Sequence, residues 1–103
     1  MEQRFGRVAI VTGGGRGFGR AFALALAGAG IRVAVAARTE SQLEETAALI
    51  RARGGEAMTV VTDVSNIQAV SRMVRAVEEQ FGEIDLLVNN AGIGRPFGPA
   101  LCY

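Results

Sequence analysis

The sequence predicts an α/β fold in which a parallel sheet is covered by helices on both faces. Short, uninterrupted apolar runs alternate with longer segments of helical periodicity, and such runs are typical of parallel strands buried on both sides. The first run leads through a glycine-rich turn into a helix, over residues 8–20. This order places the free N–H groups of a helix N-terminus at the end of a strand, which makes a binding site for a phosphorylated ligand.

The elements follow one another regularly along the chain. We predict strands at 7–12, 31–37, 57–62 and 84–88, and helices at about 17–29, 39–53 and 65–81. Capping boxes at Thr39–Gln42 and Ser65–Gln68 are predicted to begin the second and third helices, and Gly82 is predicted to end the third. The apolar stripes that should face the sheet are Phe18, Ala21, Phe22, Ala25, Leu26 and Ala29; then Leu43, Ala47 and Ile50; then Ile67, Val70, Val74, Val77 and Phe81.

Right-handed crossovers between these strands give a three-layer, Rossmann-type doubly wound parallel sheet with the strand order 3-2-1-4. We expect a single domain over 1–103, with the repeating βαβαβαβ unit at 1–92 and a loop or tail at 93–103. We expect the sheet to be truncated after about four strands. Its ligand should bind at the carboxyl ends of the strands, where every unusual short motif of the chain falls.

Composition excludes several classes of function. The chain has 103 residues, of which 50% are hydrophobic and 20% charged, and its net charge is +1, so we expect a globular domain without a nucleic-acid or membrane surface. The N-terminus lacks the apolar core of a signal peptide and Cys102 is the single cysteine, so a cytoplasmic location is expected. The absence of His and Lys excludes a His-based triad, a His metal site and a Schiff-base lysine from this chain.

The spacing of the glycines discriminates among the phosphate-binding motifs. The pattern G-x-G-x-x-G does not fit anywhere between Gly13 and Gly19. A P-loop fails because Arg20 and Ala21 stand where Lys and Ser or Thr must contact the phosphate and Mg²⁺. The spacing that fits is T-G-x-x-x-G-x-G at residues 12–19.

With this motif the chain resembles the short-chain dehydrogenase/reductase family, and the resemblance extends to about Ile93. It rests on three further features at the family's spacing: Asp63-Val64 after the third strand, Asp85 two residues before Leu87, and the segment Asn89-Asn90-Ala91-Gly92 after the fourth strand. The resemblance implies an NAD(P)-dependent oxidoreductase that transfers a hydride between the cofactor and a carbonyl or alcohol substrate.

The resemblance also implies roles for individual residues. The glycine turn would lie against the pyrophosphate and the adenosine ribose, with contacts from Gly13, Gly15, Gly17, Phe18 and Gly19. Phe18 occupies a position that is usually Ile or Leu, and we expect it to pack in the core as much as to contact a ligand. Asp63 and Val64 would hold the adenine. The adenosine ribose would be flanked by Asn90, Ala91 and Gly92, with Asn89 helping to fix the central sheet.

Arg38 indicates which dinucleotide is bound. An NAD site carries an acidic residue at the end of the second strand for the ribose 2′-OH, whereas a 2′-phosphate requires a base there. The second strand ends at Ala37 and is followed at once by Arg38, and Arg16 lies in the glycine turn. A guanidinium can bind phosphate oxygens in a bidentate manner. The sequence therefore predicts NADP(H) in preference to NAD(H).

No catalytic residue is predicted in this chain. The family uses a Ser and a Tyr-x-x-x-Lys, but the chain has no Lys and its only Tyr is Tyr103. Two interpretations remain open. The chain is the cofactor-binding part of an NADP-dependent reductase, whose small substrate would be bound by a second half, or it is an inactive nucleotide-binding fragment or remnant. In either case we expect no activity from the chain alone, and possible partners include a second copy bound through the exposed edge of the fourth strand.

Overall fold

The computed structural model describes residues 7–13, 15 and 17–89. The chain forms a parallel sheet with helices on both faces, as the apolar runs and helical stripes predicted. The elements are β1 (Val8–Thr12), α1 (Gly17–Gly28), β2 (Arg32–Ala37), α2 (Glu40–Ala52), β3 (Ala57–Val61), α3 (Ile67–Phe81) and β4 (Leu86–Asn89). The predicted boundary at residue 92 and the predicted loop at 93–103 lie outside the described residues.

The strand order is β3-β2-β1-β4, which confirms the predicted topology. All neighbouring strands are parallel. β1 lies between β2 and β4, and its Val11 is paired with Val35 of β2 and Val88 of β4. The carboxyl ends of the four strands therefore meet along one edge of the sheet.

The core lies in two layers, one on each face of the sheet. Because side chains alternate along a strand, β1 and β2 contribute to both layers. The layer under α1 and α2 contains Val11, Val33, Val35, Leu43 and Ile50. The layer under α3 contains Val8, Ile10, Ala34, Met73 and Val77.

The predicted apolar stripe of α1 is partly wrong. Phe22 and Leu26 pack against the core, but the buried residues of the helix are Gly19 and Ala23, whereas Phe18 is 75% exposed. The helix is apolar on nearly every side, so its periodicity does not determine which side meets the sheet. The small residues Gly19 and Ala23 decide this, because they allow the helix to approach the strands closely.

The predicted stripe of α3 is largely confirmed. Val77 is buried, and the sheet-facing side also includes Val70, Val74 and Phe81. Ile67, however, is 81% exposed, because it begins the helix at the carboxyl edge of the sheet, where the strands no longer offer a surface. Met73 is buried on the sheet-facing side of α3, although it was not part of the predicted stripe.

Both predicted capping boxes are wrong in detail. Thr39 has the extended backbone of an N-cap, but its side chain makes no capping hydrogen bond. At α3 the N-cap is Asn66, whose Oδ1 accepts from the backbone N–H groups of Gln68 at 2.9 Å and Ala69 at 3.1 Å. The Ser65 hydroxyl, predicted as the cap, donates to Asp63. Gly82 ends α3 with φ +97°, as predicted.

β4 begins two residues later than predicted because of an aspartate. The backbone N–H of Val8 donates to the carboxylate Oδ2 of Asp85 at 2.9 Å, and the N–H of Asp85 donates to the carbonyl of Val8 at 2.9 Å. The side chain thus takes the place of a backbone acceptor in the ladder between β1 and the segment before β4. Among the described residues, no helix is long and apolar enough to cross a membrane.

Candidate functional site

A cavity of about 300 Å³ opens at the carboxyl ends of β1, β2 and β3. It brings together residues that are far apart in the sequence and that were predicted to bind one ligand. Its lining consists of Gly13, Ala37, Arg38, Thr62, Asp63, Val64 and Ser65. Residues that follow three of the strands, namely Gly13, Arg38 and Asp63 with Val64, therefore line one cavity.

Gly13, at the start of the glycine turn that leads into α1, lines this cavity. Gly13 has φ +69° and Gly17 has φ +61°, a left-handed conformation that favours glycine at both positions. The N–H of Gly13 donates to the carbonyl of Ala36 at 2.7 Å, which holds the turn against β2. The first turn of α1 contains no acidic residue, so nothing in it offsets the positive end of the helix dipole. The turn can therefore bind an anion.

Arg20 ties this turn to α2, a contact that the sequence did not predict. Its Nη2 donates to the carbonyl of Gly15 at 2.7 Å, and its Nε donates to the Oγ1 of Thr46 at 3.0 Å. It also forms an ion pair of 3.0 Å with Glu45. The sequence had shown Arg20 only as a departure from a P-loop. The sequence offered one signal for this contact: Arg20 is the single charged residue among the Ala, Leu and Phe residues of α1.

Asp63 is exposed and ionised at the end of β3. Its Oδ1 accepts from the hydroxyl of Ser65 at 2.6 Å and from the backbone N–H of Ser65 at 3.0 Å. These two bonds hold the pKa of Asp63 below its ordinary value of 3.8, and the charge of Arg38 lowers it further. The site therefore presents a carboxylate that can accept a hydrogen bond from a ligand.

Arg38 follows β2 and is exposed at the cavity. Among the described residues it forms neither a hydrogen bond nor an ion pair, so its guanidinium is available to an anionic ligand. Ala37, the last residue of β2, offers no carboxylate at this point.

Thr12 and Asn89 join the ends of the neighbouring strands β1 and β4. The Thr12 hydroxyl lies 3.0 Å from the Oδ1 of Asn89 and 3.4 Å from the carbonyl of Val88. The side chain of Asn89 thus links β4 to β1, and its expected role in fixing the central sheet stays a prediction. This contact keeps the end of β4 in register with the start of the glycine turn.

Phe18 lies at the opening of the glycine turn rather than in the core. At 75% exposure its side chain is available to a ligand, and the expectation of core packing is wrong. The other predicted site residues, namely Arg16, Asn90, Ala91 and Gly92, lie outside the described residues. Within 7–13, 15 and 17–89 there is no group of three or more His, Cys, Asp or Glu side chains that could hold a metal ion.

The family model described as short chain dehydrogenase matches residues 7–101. The chain belongs to this family. It is 50% identical over 88 residues to the short-chain reductase protein NovJ of Streptomyces niveus. This alignment covers 85% of this chain and 34% of NovJ. It is also 43% identical over 90 residues to the short-chain dehydrogenase/reductase homolog YusS of Bacillus subtilis. This alignment covers 86% of this chain and 83% of YusS.

Solved structures of the family share the fold. An actinorhodin polyketide ketoreductase variant crystallised with NADPH superposes with a TM-score of 0.83 at 41% identity, covering 97% of this chain and 38% of the ketoreductase. The short-chain dehydrogenase fold binds NAD(P). The four-stranded sheet of this chain matches the N-terminal, cofactor-binding part of that fold. With the exception of YusS, the chain spans about a third of the length of these relatives.

Proposed function

We propose that this chain binds NADP(H) as the cofactor-binding portion of a short-chain dehydrogenase/reductase. The pyrophosphate would lie against the glycine turn, the adenine beside Asp63 and Val64, and the 2′-phosphate at Arg38. Arg16 would add a second positive charge at the phosphate, and the adenosine ribose would be flanked by Asn90, Ala91 and Gly92. The location proposed for such a protein is the cytoplasm.

The observation that carries this proposal is the position of Arg38. It lines the same cavity as Gly13 and Asp63, and the strand before it ends in Ala37. A carboxylate at that position would accept a hydrogen bond from a ribose 2′-OH and repel a 2′-phosphate, whereas a guanidinium attracts the phosphate. The cavity therefore supports NADP(H) over NAD(H).

Asp63 would contribute to the same site by binding the adenine rather than the 2′-phosphate. Its Oδ1 is engaged by Ser65, and its Oδ2 remains able to accept a hydrogen bond from the amino group of an adenine. A carboxylate accepts a hydrogen bond more strongly than a neutral carboxyl does, and the lowered pKa of Asp63 extends the ionised form to more acidic pH.

The substrate chemistry of the family is hydride transfer between the bound cofactor and a carbonyl or alcohol carbon. When bound, NADPH supplies the hydride, and the described residues bind and orient the cofactor. The family's Ser and Tyr-x-x-x-Lys have no counterparts in this chain, which contains no Lys and a single Tyr. We therefore propose a catalytic role only together with residues outside this sequence.

A second candidate is a nucleotide-binding protein without turnover. It is favoured by the lack of Lys and by the match to YusS over 83% of that relative's length. Because the chain alone is expected to be inactive under both candidates, they are distinguished by assaying it together with the residues outside this sequence, for oxidation of NADPH at 340 nm in the presence of a panel of ketones and aldehydes. Binding of NADPH without any oxidation supports the second candidate, whereas turnover of any carbonyl supports the first.

The substitution Arg38→Asp tests the cofactor preference. Removing a charge-assisted hydrogen bond to phosphate costs about 1.5–3 kcal/mol, so the affinity for NADPH should fall roughly 10- to 100-fold. The affinity for NADH should stay equal or rise, because the new carboxylate can accept from the 2′-OH. The double variant with Arg16→Asp should lose more NADPH affinity than the single variant. Isothermal titration with both cofactors measures each effect.

The matched control is Arg72→Asp, which makes the same charge change on an exposed position of α3. It should leave both affinities within about twofold of the unmodified chain, because Arg72 is exposed and does not line the cavity. If Arg38→Asp also left NADPH binding unchanged, Arg38 would not be the phosphate ligand.

A further inference from the structure

The glycine turn is anchored to α2 through one carbonyl oxygen. The oxygen of Gly15 accepts from Arg20 Nη2 at 2.7 Å and lies 3.4 Å from the hydroxyl of Thr46. Thr46 is completely buried on α2 and also accepts from Arg20 Nε at 3.0 Å. Arg20 therefore bridges the turn and α2 with two separate nitrogen atoms.

The direction of this carbonyl matters for anion binding. A glycine-rich turn can rotate its peptide planes at little cost, because glycine has no Cβ to restrict them. A carbonyl oxygen turned towards the ligand would present a partial negative charge to a phosphate and repel it. The charge-assisted bond to Arg20 keeps the Gly15 oxygen directed at α2 instead.

Close packing against α2 restrains the same residue. A Cβ on Gly15 would lie 2.8 Å from the Cβ of Gln42, so the turn is pressed against the first turn of α2. Arg20 Nη2 also lies 3.4 Å from the carbonyl oxygen of Gln42. The turn and the start of α2, which follows Arg38 by two residues, are thus held together as one unit.

We propose that Arg20 is a positioning residue for the dinucleotide: it keeps the glycine turn in the shape that accepts the pyrophosphate by holding the Gly15 carbonyl against α2. This role rests on the proposed binding of NADP(H) at the turn. Arg20 itself need not touch the cofactor. The ion pair with Glu45 is not required, because the Glu45 side chain is 70% exposed and such pairs contribute little.

The test compares two ligands that differ in their use of the turn. NADPH carries a pyrophosphate, whereas adenosine 2′-phosphate carries only the adenine and the 2′-phosphate and should bind at Arg38 and Asp63. In Arg20→Gln we expect the affinity for NADPH to fall about tenfold and the affinity for adenosine 2′-phosphate to stay within about twofold, as measured by isothermal titration.

Three variants serve as controls. Arg72→Gln makes the same charge change on the exposed face of α3, and Glu45→Gln removes the ion pair but keeps the bond to Gly15. Both should bind each ligand as the unmodified chain does. Arg20→Lys keeps one donor for the Gly15 carbonyl, so it should recover most of the NADPH affinity that Arg20→Gln loses. This rescue also keeps the proposal testable if Arg20→Gln is poorly folded.

The outcomes are distinguishable. An equal loss of both ligands in Arg20→Gln, accompanied by a lower melting temperature, would show a structural role only and overturn the proposal. Unchanged NADPH binding in Arg20→Gln, or a folded Arg20→Lys that binds NADPH no better than Arg20→Gln, would overturn it as well. Failure of the unmodified chain to bind NADPH would overturn the proposed function, and this role of Arg20 with it.

Discussion

Ser65 lowers the pKa of Asp63 at the cavity. Its hydroxyl and its backbone N–H both donate to Oδ1 of Asp63, and these bonds are the main cause of the lowered pKa of that carboxyl. The backbone bond survives a change of side chain, whereas the hydroxyl bond at 2.6 Å does not. The serine hydroxyl is therefore the part of this arrangement that mutagenesis can remove cleanly.

We predict that Ser65→Ala raises the pKa of Asp63 towards its ordinary value of 3.8. A carboxyl with a lowered folded-state pKa stabilises the fold above its unfolded-state pKa, and this stabilisation is lost as the pH falls through the folded-state pKa. The variant should therefore lose the contribution of Asp63 at a higher pH than the unmodified chain does. Carboxyl ¹³C NMR titration of Asp63 measures the pKa, and Ser71→Ala on α3 is the control. An unchanged titration curve in Ser65→Ala would contradict this prediction.

At the scale of single residues, the sequence predicted residues that line one cavity, but not the contacts that support them. The convergence of Gly13, Arg38 and Asp63 on one cavity followed from a general rule, because parallel strands bring their carboxyl ends to one edge. Arg20 was missed because its partners, Gly15 and Thr46, are joined only by the packing of α1 against α2. No spacing rule along the chain contains that information.

At the scale of elements, the N-termini of α2 and α3 allow a matched comparison. The Asn66 side chain accepts two backbone N–H groups at the start of α3, whereas the Thr39 side chain accepts none at the start of α2. Loss of a capping side chain typically costs about 1 kcal/mol, and only where the capping bond exists.

We therefore predict that Asn66→Ala lowers the free energy of unfolding by about 1 kcal/mol, whereas Thr39→Ala lowers it by less than about 0.3 kcal/mol. Urea denaturation followed by circular dichroism measures both values. Equal losses in the two variants would show that the capping contacts do not determine the stability of these helix starts.

Element types and their order could be predicted, because apolar runs and helical stripes have different periods. The choice between neighbouring residues could not. Ser65 and Asn66 are both good N-caps, and the decision depends on Asp63, which takes the Ser65 hydroxyl. Likewise, the sequence of α1 is apolar on several sides, and the side that meets the sheet is selected by the close approach allowed by Gly19 and Ala23.

At the scale of the whole molecule, the sheet has β4 at one end and β3 at the other. Among the described residues, β4 is hydrogen-bonded to β1 on one side only, and Leu86 and Leu87 are half-buried. An apolar strand with one unpaired edge is a surface on which a second chain can add a strand.

We predict that the chain self-associates through the β4 edge. In sedimentation velocity the weight-average sedimentation coefficient should rise with protein concentration. Val61→Lys is the control, because it adds a charge at the β3 edge, where Val61 is 55% exposed, and should leave the association unchanged. A monodisperse monomer at all concentrations, with cooperative unfolding, would contradict this prediction.

The overall topology was the most predictable property of the molecule. Right-handed crossovers leave few arrangements for four parallel strands, and the glycine turn after β1 marks the point where the strand order reverses. That point is also where a dinucleotide binds in this fold, so topology and ligand class follow from the same rule. For the identity of the dinucleotide we propose a different basis, namely the side chain of Arg38 with Arg16 as a second positive charge.

The most direct test is therefore a comparison of NADPH and NADH binding to the unmodified chain by isothermal titration at neutral pH. The free guanidinium of Arg38, set in the cavity with Gly13 and Asp63, predicts that NADPH binds at least about tenfold more tightly than NADH. Equal affinities, or tighter binding of NADH, would contradict the assignment of this site to NADP(H).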